Sequence, residues 1–179
     1  AALGTMVANL SAHKKGWDDR WEAFSDQAEK GQQYKDELLK LVDEDTIAFN
    51  KIMAAFNLPK STGEEKAART QAIQQATKYA IEIPFKVMKA AYGSLPLIKA
   101  MAETGNPNSV SDAGVAALCA RSAVIGAFLN VKINASGYKD KGFTDAIIAE
   151  GNELESKAIA LEKAIIDIVN LTIGQPGNG

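Results

Sequence analysis

Residues 38–56 read LLKLVDEDTIAFNKIMAAF, and this stretch decides the fold. Its apolar side chains recur at alternating intervals of four and three residues, the spacing of one face of an α-helix. That face consists of Leu38, Val42, Asp45, Phe49, Ile52 and Phe56. We therefore predict a long bundle helix whose apolar face packs in the core.

Helical periodicity continues on both sides of this stretch, and no segment alternates apolar and polar residues as a strand would. Gly and Pro clusters divide the chain into about six helices. We predict one all-α multihelical bundle with long central helices over residues 1–173, followed by a flexible tail at 174–179. Two helix starts follow from capping chemistry: Ser61 or Thr62 before the third helix, and Ser109 or Ser111 before the Ala-rich helix. The last helix is predicted to run from Thr144 to about Thr172.

The composition excludes several classes of protein. Hydrophobic residues make up 46% and charged residues 23%, which is typical of a soluble globular chain. The net charge of −2 comes without a cationic stripe, so we expect no nucleic-acid partner. No uninterrupted apolar run approaches the roughly 20 residues of a membrane helix, so we expect no membrane association. With His13 and Cys119 as the single members of their types, a histidine-cluster metal site and an internal disulfide are excluded. A reducing, cytoplasmic location is the simplest expectation.

Asp45 is the anomaly in the apolar face. It occupies a position that the pattern reserves for an apolar side chain, and burying an ionised carboxylate is costly unless it is paired. One interpretation is a catalytic acid or base. The alternative is a buried aspartate that pairs with a lysine or caps a neighbouring helix.

A second anomaly lies in the Ala-rich helix, where Asn130 interrupts the face made by Cys119, Ala123, Gly126, Asn130 and Ile133. Asn134 lies one turn beyond it, and Asp112 points the same way about 27 Å earlier along the helix axis. Asn130 is either a ligand group or a satisfied core amide, and Asp112 alternatively stabilises the helix dipole. The many Ala, Gly and Ser residues of this helix predict a closely packed central helix or a subunit interface.

Two ordered blocks of sequence carry a family resemblance. The first is LVDEDTIAFN at 41–50 with Leu58-Pro59-Lys60, and the second runs from Gly105-Asn106 through 109–112 and 115–117 to Asn-Val-Lys-Ile-Asn at 130–134. The segments at 64–66 and 69–74 fit between them. Together they resemble the cyclodeaminase/cyclohydrolase family, which includes the C-terminal half of formiminotransferase-cyclodeaminase. The resemblance covers the chain from about residue 1 to residue 134.

The resemblance implies a closely packed or intertwined helical homodimer that acts on one-carbon folates, with Asp45 as the catalytic residue. The expected reaction is cyclisation of 5-formimidoyltetrahydrofolate to 5,10-methenyltetrahydrofolate with loss of ammonia. No metal and no cofactor beyond the folate substrate is expected. A formiminotransferase is a possible partner. Residues assigned to substrate binding are Asp112, Asn130 and Asn134, together with Lys60 and Arg69 for the anionic glutamate tail.

Two alternatives remain open. The same fold would serve a methenyltetrahydrofolate cyclohydrolase, and a helical dimerisation scaffold without catalytic activity would show the same small-residue surface. The family also carries a Gly-Gly-Gly-Ser loop ahead of the first helix. Because the chain begins at Ala1 inside a predicted helix, we expect an N-terminal piece containing that loop to precede it.

Overall fold

The computed structural model describes residues 1–174, and their regular structure is helical without strands. The predicted all-α class is therefore confirmed. The predicted tail lies, apart from Gly174, outside the described residues. The helices are α1 (Ala2–Ala12), α2 (Trp21–Phe56), α3 (Gly63–Gly93), α4 (Leu95–Thr104), α5 (Val110–Ala135) and α6 (Lys141–Ile173), with a 3-10 turn at Pro107–Ser109 before α5.

The helix ends follow local chemistry, with two departures from prediction. Thr62 caps α3 in a reciprocal arrangement: its side chain accepts from the backbone N–H of Glu65, whose carboxylate accepts from the backbone N–H of Thr62. Ser109 stands at the N-cap of α5 but makes no capping hydrogen bond, because the preceding 3-10 turn already leads the chain into the helix. Asp140 caps α6 by accepting from Phe143, so this helix begins earlier than the predicted Thr144.

Helix α5 is the centre of the bundle, since it packs against α1, α3, α4 and α6. Its buried positions are mostly small side chains, which allow neighbouring helices to approach closely. At Gly114, an added Cβ would lie 3.3 Å from a methyl group of Val169 on α6. The prediction of a closely packed central helix is confirmed.

One stretch of the described residues, Pro107–Ala135, is by length and composition able to cross a membrane, with a mean hydropathy of 1.6. A central helix of a bundle has the same composition. In the 18-residue apolar part of this stretch, 44% is buried inside the chain.

The α2–α3 hairpin carries a small core of its own. Leu41 and Ala48 of α2 pack with Ala80, Ile83 and Ala90 of α3. The main core is formed by the other helix contacts, around fully buried residues such as Phe128 and Ile98. Helix α2 is thus held at two places: its N-terminal half packs on α1 and the main core through Phe24 and Ala28, and its C-terminal half packs on α3 through this narrow, alanine-rich seam.

The predicted core face of α2 is wrong in part: Leu38 and Ile52 are half-buried against the hairpin core, but the rest of the face is exposed in the single chain. Val42 is 64% exposed, Phe49 61% and Phe56 49%, because α3 covers the neighbouring face that contains Leu41, Ala48 and Ala55. The predicted stripe on α5 is exposed as well, with Ile133 at 69%. Its cysteine, Cys119, is exposed rather than a packing residue of the core. Both stripes are apolar surfaces.

Candidate functional site

A surface cavity of about 500 Å³ lies where α2, α3 and α5 meet. Its volume falls within the range of about 300 to 1,000 Å³ that is common for small-molecule sites. The lining combines apolar groups with a few polar ones: Leu38, Leu41, Val42, Asp45 and Thr46 from α2, Pro84 and Val87 from α3, and Ala123, Gly126, Ala127 and Asn130 from α5.

Asp45 lies on the α2 wall of this cavity with its side chain open to solvent. The expectation that it would be buried is wrong. Ala48 packs against α3. Asp45 lies three positions earlier, so around the helix axis it points about 60° away from that contact. No basic side chain among residues 1–174 forms an ion pair with Asp45. The carboxylate is therefore available to a molecule in the cavity, and its catalytic role stays a prediction.

Asn130 reaches the same cavity from α5 and is exposed to solvent there. The structure thus brings together two of the predicted residues, Asp45 and Asn130, which are far apart in sequence. Gly126, one turn before Asn130, faces open space: an added Cβ would meet nothing within 4 Å. Small residues on this wall keep the cavity wide.

Asn134 does not line the cavity. Its side-chain Nδ2 donates a hydrogen bond of 2.8 Å to the backbone carbonyl of Ala80 on α3. The amide predicted to contact substrate therefore ties two helices together.

The structure leaves Asp112 apart from the cavity as well. It is half-buried in the first turn of α5, where a carboxylate favours the positive end of the helix. The length of α5 separates it from Asn130 by about 27 Å within one chain.

Lys60 and Arg69 lie at the tip of the α2–α3 hairpin. Lys60 is exposed in the connecting loop. Arg69 donates from Nε and Nη2 to the carbonyl of Phe56, at 3.3 and 3.2 Å, and so closes the end of α2. Asp45 and Phe56 are about 16 Å apart along the helix. Contact of either cation with substrate stays a prediction.

Pro84 and Val87 are lining residues that the sequence did not indicate. Pro84 was conspicuous as a proline inside a helix, but nothing in the sequence placed it opposite Asn130. Its contribution depends on how α3 and α5 pack.

Other grooves of the described surface do not combine the predicted residues. One of about 480 Å³ contains Lys51, which lies 3.9 Å from the ring centre of Tyr79. Lys51 is three positions after Ala48, so it lies on the side of the hairpin opposite to Asp45. Within residues 1–174, no three His, Cys, Asp or Glu side chains are grouped to hold a metal ion.

Fold and site together define a class, an all-α domain with an open cavity that carries an aspartate and an asparagine. The family model described as formiminotransferase-cyclodeaminase matches residues 1–153. The chain belongs to this family of enzymes.

Individual relatives agree with this assignment. The chain is 37% identical to a methenyltetrahydrofolate cyclohydrolase of Methylorubrum extorquens, over 94% of the chain and 81% of that protein. It is 34% identical to the formimidoyltransferase-cyclodeaminase of Gallus gallus over 93% of the chain, but it spans 31% of that longer protein. The crystal structure of formiminotetrahydrofolate cyclodeaminase from Thermotoga maritima superposes with a TM-score of 0.82 at 27% identity, covering 96% of this chain and 82% of the other.

Proposed function

We propose that the chain cyclises 5-formimidoyltetrahydrofolate to 5,10-methenyltetrahydrofolate with release of ammonia. The observation that carries the proposal is the meeting of Asp45 and Asn130 at one open cavity in a member of this family. The similarity to the Thermotoga maritima cyclodeaminase supports it further.

The reaction requires two proton transfers, which one carboxylate can perform in turn. As N10 attacks the carbon of the protonated formimidoyl group, N5–CH=NH2⁺, Asp45 accepts the N10 proton. The protonated carboxyl group then donates to the formimidoyl nitrogen, which leaves as ammonia while the C–N bond breaks. Such general acid–base catalysis contributes about 10² to 10⁴ in rate. No change of oxidation state occurs, so the reaction itself needs no redox cofactor.

Asn130 suits the task of orienting the substrate. Its side-chain amide offers both donors and an acceptor, which match the mixed hydrogen-bonding groups of an amidine or a pterin. Holding N10 against the carbon removes much of the orientational cost of ring closure. Asp112 is the remaining candidate for such a contact, in a site to which a second copy of the chain contributes.

The hairpin tip would receive the other end of the folate. Folate is elongated, and its glutamate carboxylates lie far from the reacting nitrogens. Arg69 lies at Phe56, about 16 Å along α2 from Asp45, and Lys60 lies in the loop beyond it, so we assign both cations to the glutamate end.

A second candidate is hydrolysis of methenyltetrahydrofolate, favoured by the 37% identical relative with that name. Water would attack the methenyl carbon, the same atom from which ammonia departs in the first reaction. Asp45 would activate this water by accepting its proton. The open cavity admits water, so both reactions suit the same groups.

A two-substrate assay separates the candidates. Purified protein is given formimidoyl-folate and methenyl-folate in parallel, and both the methenyl chromophore and ammonia are followed. Chromophore gain with ammonia release supports cyclodeamination, whereas chromophore loss supports hydrolysis. Absence of turnover and of any thermal shift with a folate analogue would instead favour the scaffold interpretation.

We also propose that two copies of the chain associate through the exposed apolar faces of α2 and α5. These faces flank the cavity, and they expose Phe49 by 61%, Leu129 by 58% and Ile133 by 69%. Exposed apolar surface of this extent marks protein–protein interfaces. A second copy would cover the open side of the Asp45 cavity, and sedimentation of the purified chain tests the expected dimer.

The remaining expectations complete the proposal. We place the protein in the cytoplasm, without a nucleic-acid or membrane partner. A formiminotransferase would supply the formimidoyl substrate, in keeping with the two-activity name of the Gallus gallus relative.

A further inference from the structure

Helix α3 contains a backbone defect one turn away from the cavity. Pro84 has no N–H, so it cannot donate the helical hydrogen bond to the carbonyl of Ala80, four residues earlier. Ala80 is only 5% exposed, which keeps water from solvating that carbonyl freely. A buried polar group left without a partner is destabilising.

The missing donor comes from another helix. Asn134 Nδ2 on α5 donates to the Ala80 oxygen at 2.8 Å. The proline and the asparagine are therefore two halves of one arrangement, although they are 50 positions apart in the sequence.

Each residue of this hydrogen bond lies one helical turn from a residue that lines the cavity. One turn from Ala80 toward the C-terminus of α3 is Pro84, which lines the cavity. One turn from Asn134 toward the N-terminus of α5 is Asn130, which lines the opposite wall. Residues four apart on a helix share a face, so fixing Asn134 also fixes the direction in which Asn130 points.

We propose that Asn134 is a positioning residue, which holds Asn130 and the Pro84 turn at the separation that the reaction requires, and does not itself contact the substrate. This inference rests on the proposed function. Loss of the bond would let the two walls move apart, and small misplacements of orienting groups are costly in rate.

The first experiment tests the hydrogen bond by stability alone. Asn134→Ala is made in the wild-type chain and in a Pro84→Ala chain, where the restored N–H serves the Ala80 carbonyl. In the wild type we expect Tm to fall by about 3 to 8 °C. In the Pro84→Ala chain the fall should be less than half as large. Equal falls would overturn the proposal.

The second experiment tests positioning by kinetics, at a temperature where every variant is folded. Asn134→Ala should lower kcat/KM by roughly 10-fold in the wild type. It should add little to the loss already caused by Asn130→Ala, because Asn134 acts through Asn130. Multiplicative losses would show an independent substrate contact. An unchanged kcat/KM would show a purely structural role, and either result would overturn the proposal.

Two further variants complete the design. Asn134→Asp removes the donor while keeping the shape, so it should be no better than Asn134→Ala. Asn152→Ala on the exposed side of α6 is the matched control and should change neither Tm nor kcat/KM. A wild type without turnover on either folate would remove the proposed function, and the positioning role with it, while the stability cycle would still report the hydrogen bond.

Discussion

The two apolar faces of α2 differ in how far they are buried. One face, with Leu41, Ala48 and Ala55, is buried against α3 and is mostly alanine. The other face carries larger side chains, and its residues Val42 and Phe49 are each more than 60% exposed. The more hydrophobic face is thus the one that the chain leaves uncovered.

This difference separates two uses of apolar surface. Small side chains let α2 and α3 approach closely and complete the fold within one chain. Larger side chains on the second face stand beside the Asp45 cavity and remain available to another molecule. Asp45 belongs to the second face, which explains why a carboxylate is tolerated in an apolar pattern: in the single chain it keeps its contact with water.

The largest expected effect concerns the acid on the exposed face. Asp45→Asn removes the proton carrier, so kcat should fall by about 10² to 10⁴. Because the side chain is exposed, the free energy of unfolding should change by less than about 0.5 kcal/mol. Steady-state kinetics and chemical denaturation measure the two quantities. Asp43→Asn, an exposed acid two residues earlier and outside the cavity, is the control and should retain turnover. Near-normal turnover of Asp45→Asn would refute its catalytic role.

A pair of truncations tests the contrast between the faces directly. Leu41→Ala should lower the free energy of unfolding by about 2 to 4 kcal/mol, since it opens a cavity in the hairpin core. Phe49→Ala should change the stability of the single chain by less than about 1 kcal/mol but raise the dimer dissociation constant at least about 10-fold. Denaturation at several protein concentrations and analytical ultracentrifugation provide the readouts. Self-association unaffected by Phe49→Ala would contradict the proposed interface.

The smallest effects are expected at the hairpin tip, where α2 ends. Lys60→Ala and Arg69→Ala should raise KM by a few-fold, more than they lower kcat, if these cations face the glutamate tail. Arg69→Ala should also cost about 1 kcal/mol of stability, because the Phe56 carbonyl loses its donors. Lys66→Ala is a matched control on the exposed surface of α3. A fall in kcat without a change in KM would argue against tail binding.

Much of the fold was predictable because it depends on local chemistry. The capping box at Thr62 and the end of α2 before Pro59 follow from residues a few positions apart. The small residues of α5 likewise indicated a central helix. Ser109 shows the limit of such reasoning, since the 3-10 turn before α5 made its capping hydrogen bond unnecessary.

The site was predictable in part. Asp45 and Asn130 stood out as polar interruptions of apolar faces, and they do share a cavity. The contribution of Pro84 and the engagement of Asn134 with Ala80 were not predictable, because both depend on the packing of α3 against α5.

The sequence by itself determined the helices, their approximate ends and the family, because helical periodicity, capping and motif spacing are properties of neighbouring residues. Only the tertiary structure decided which apolar face of α2 is covered and that Asp45 is open to solvent. Burial is a relation between helices: a face becomes core only where another helix packs on it, and the pattern of one helix does not specify its neighbour.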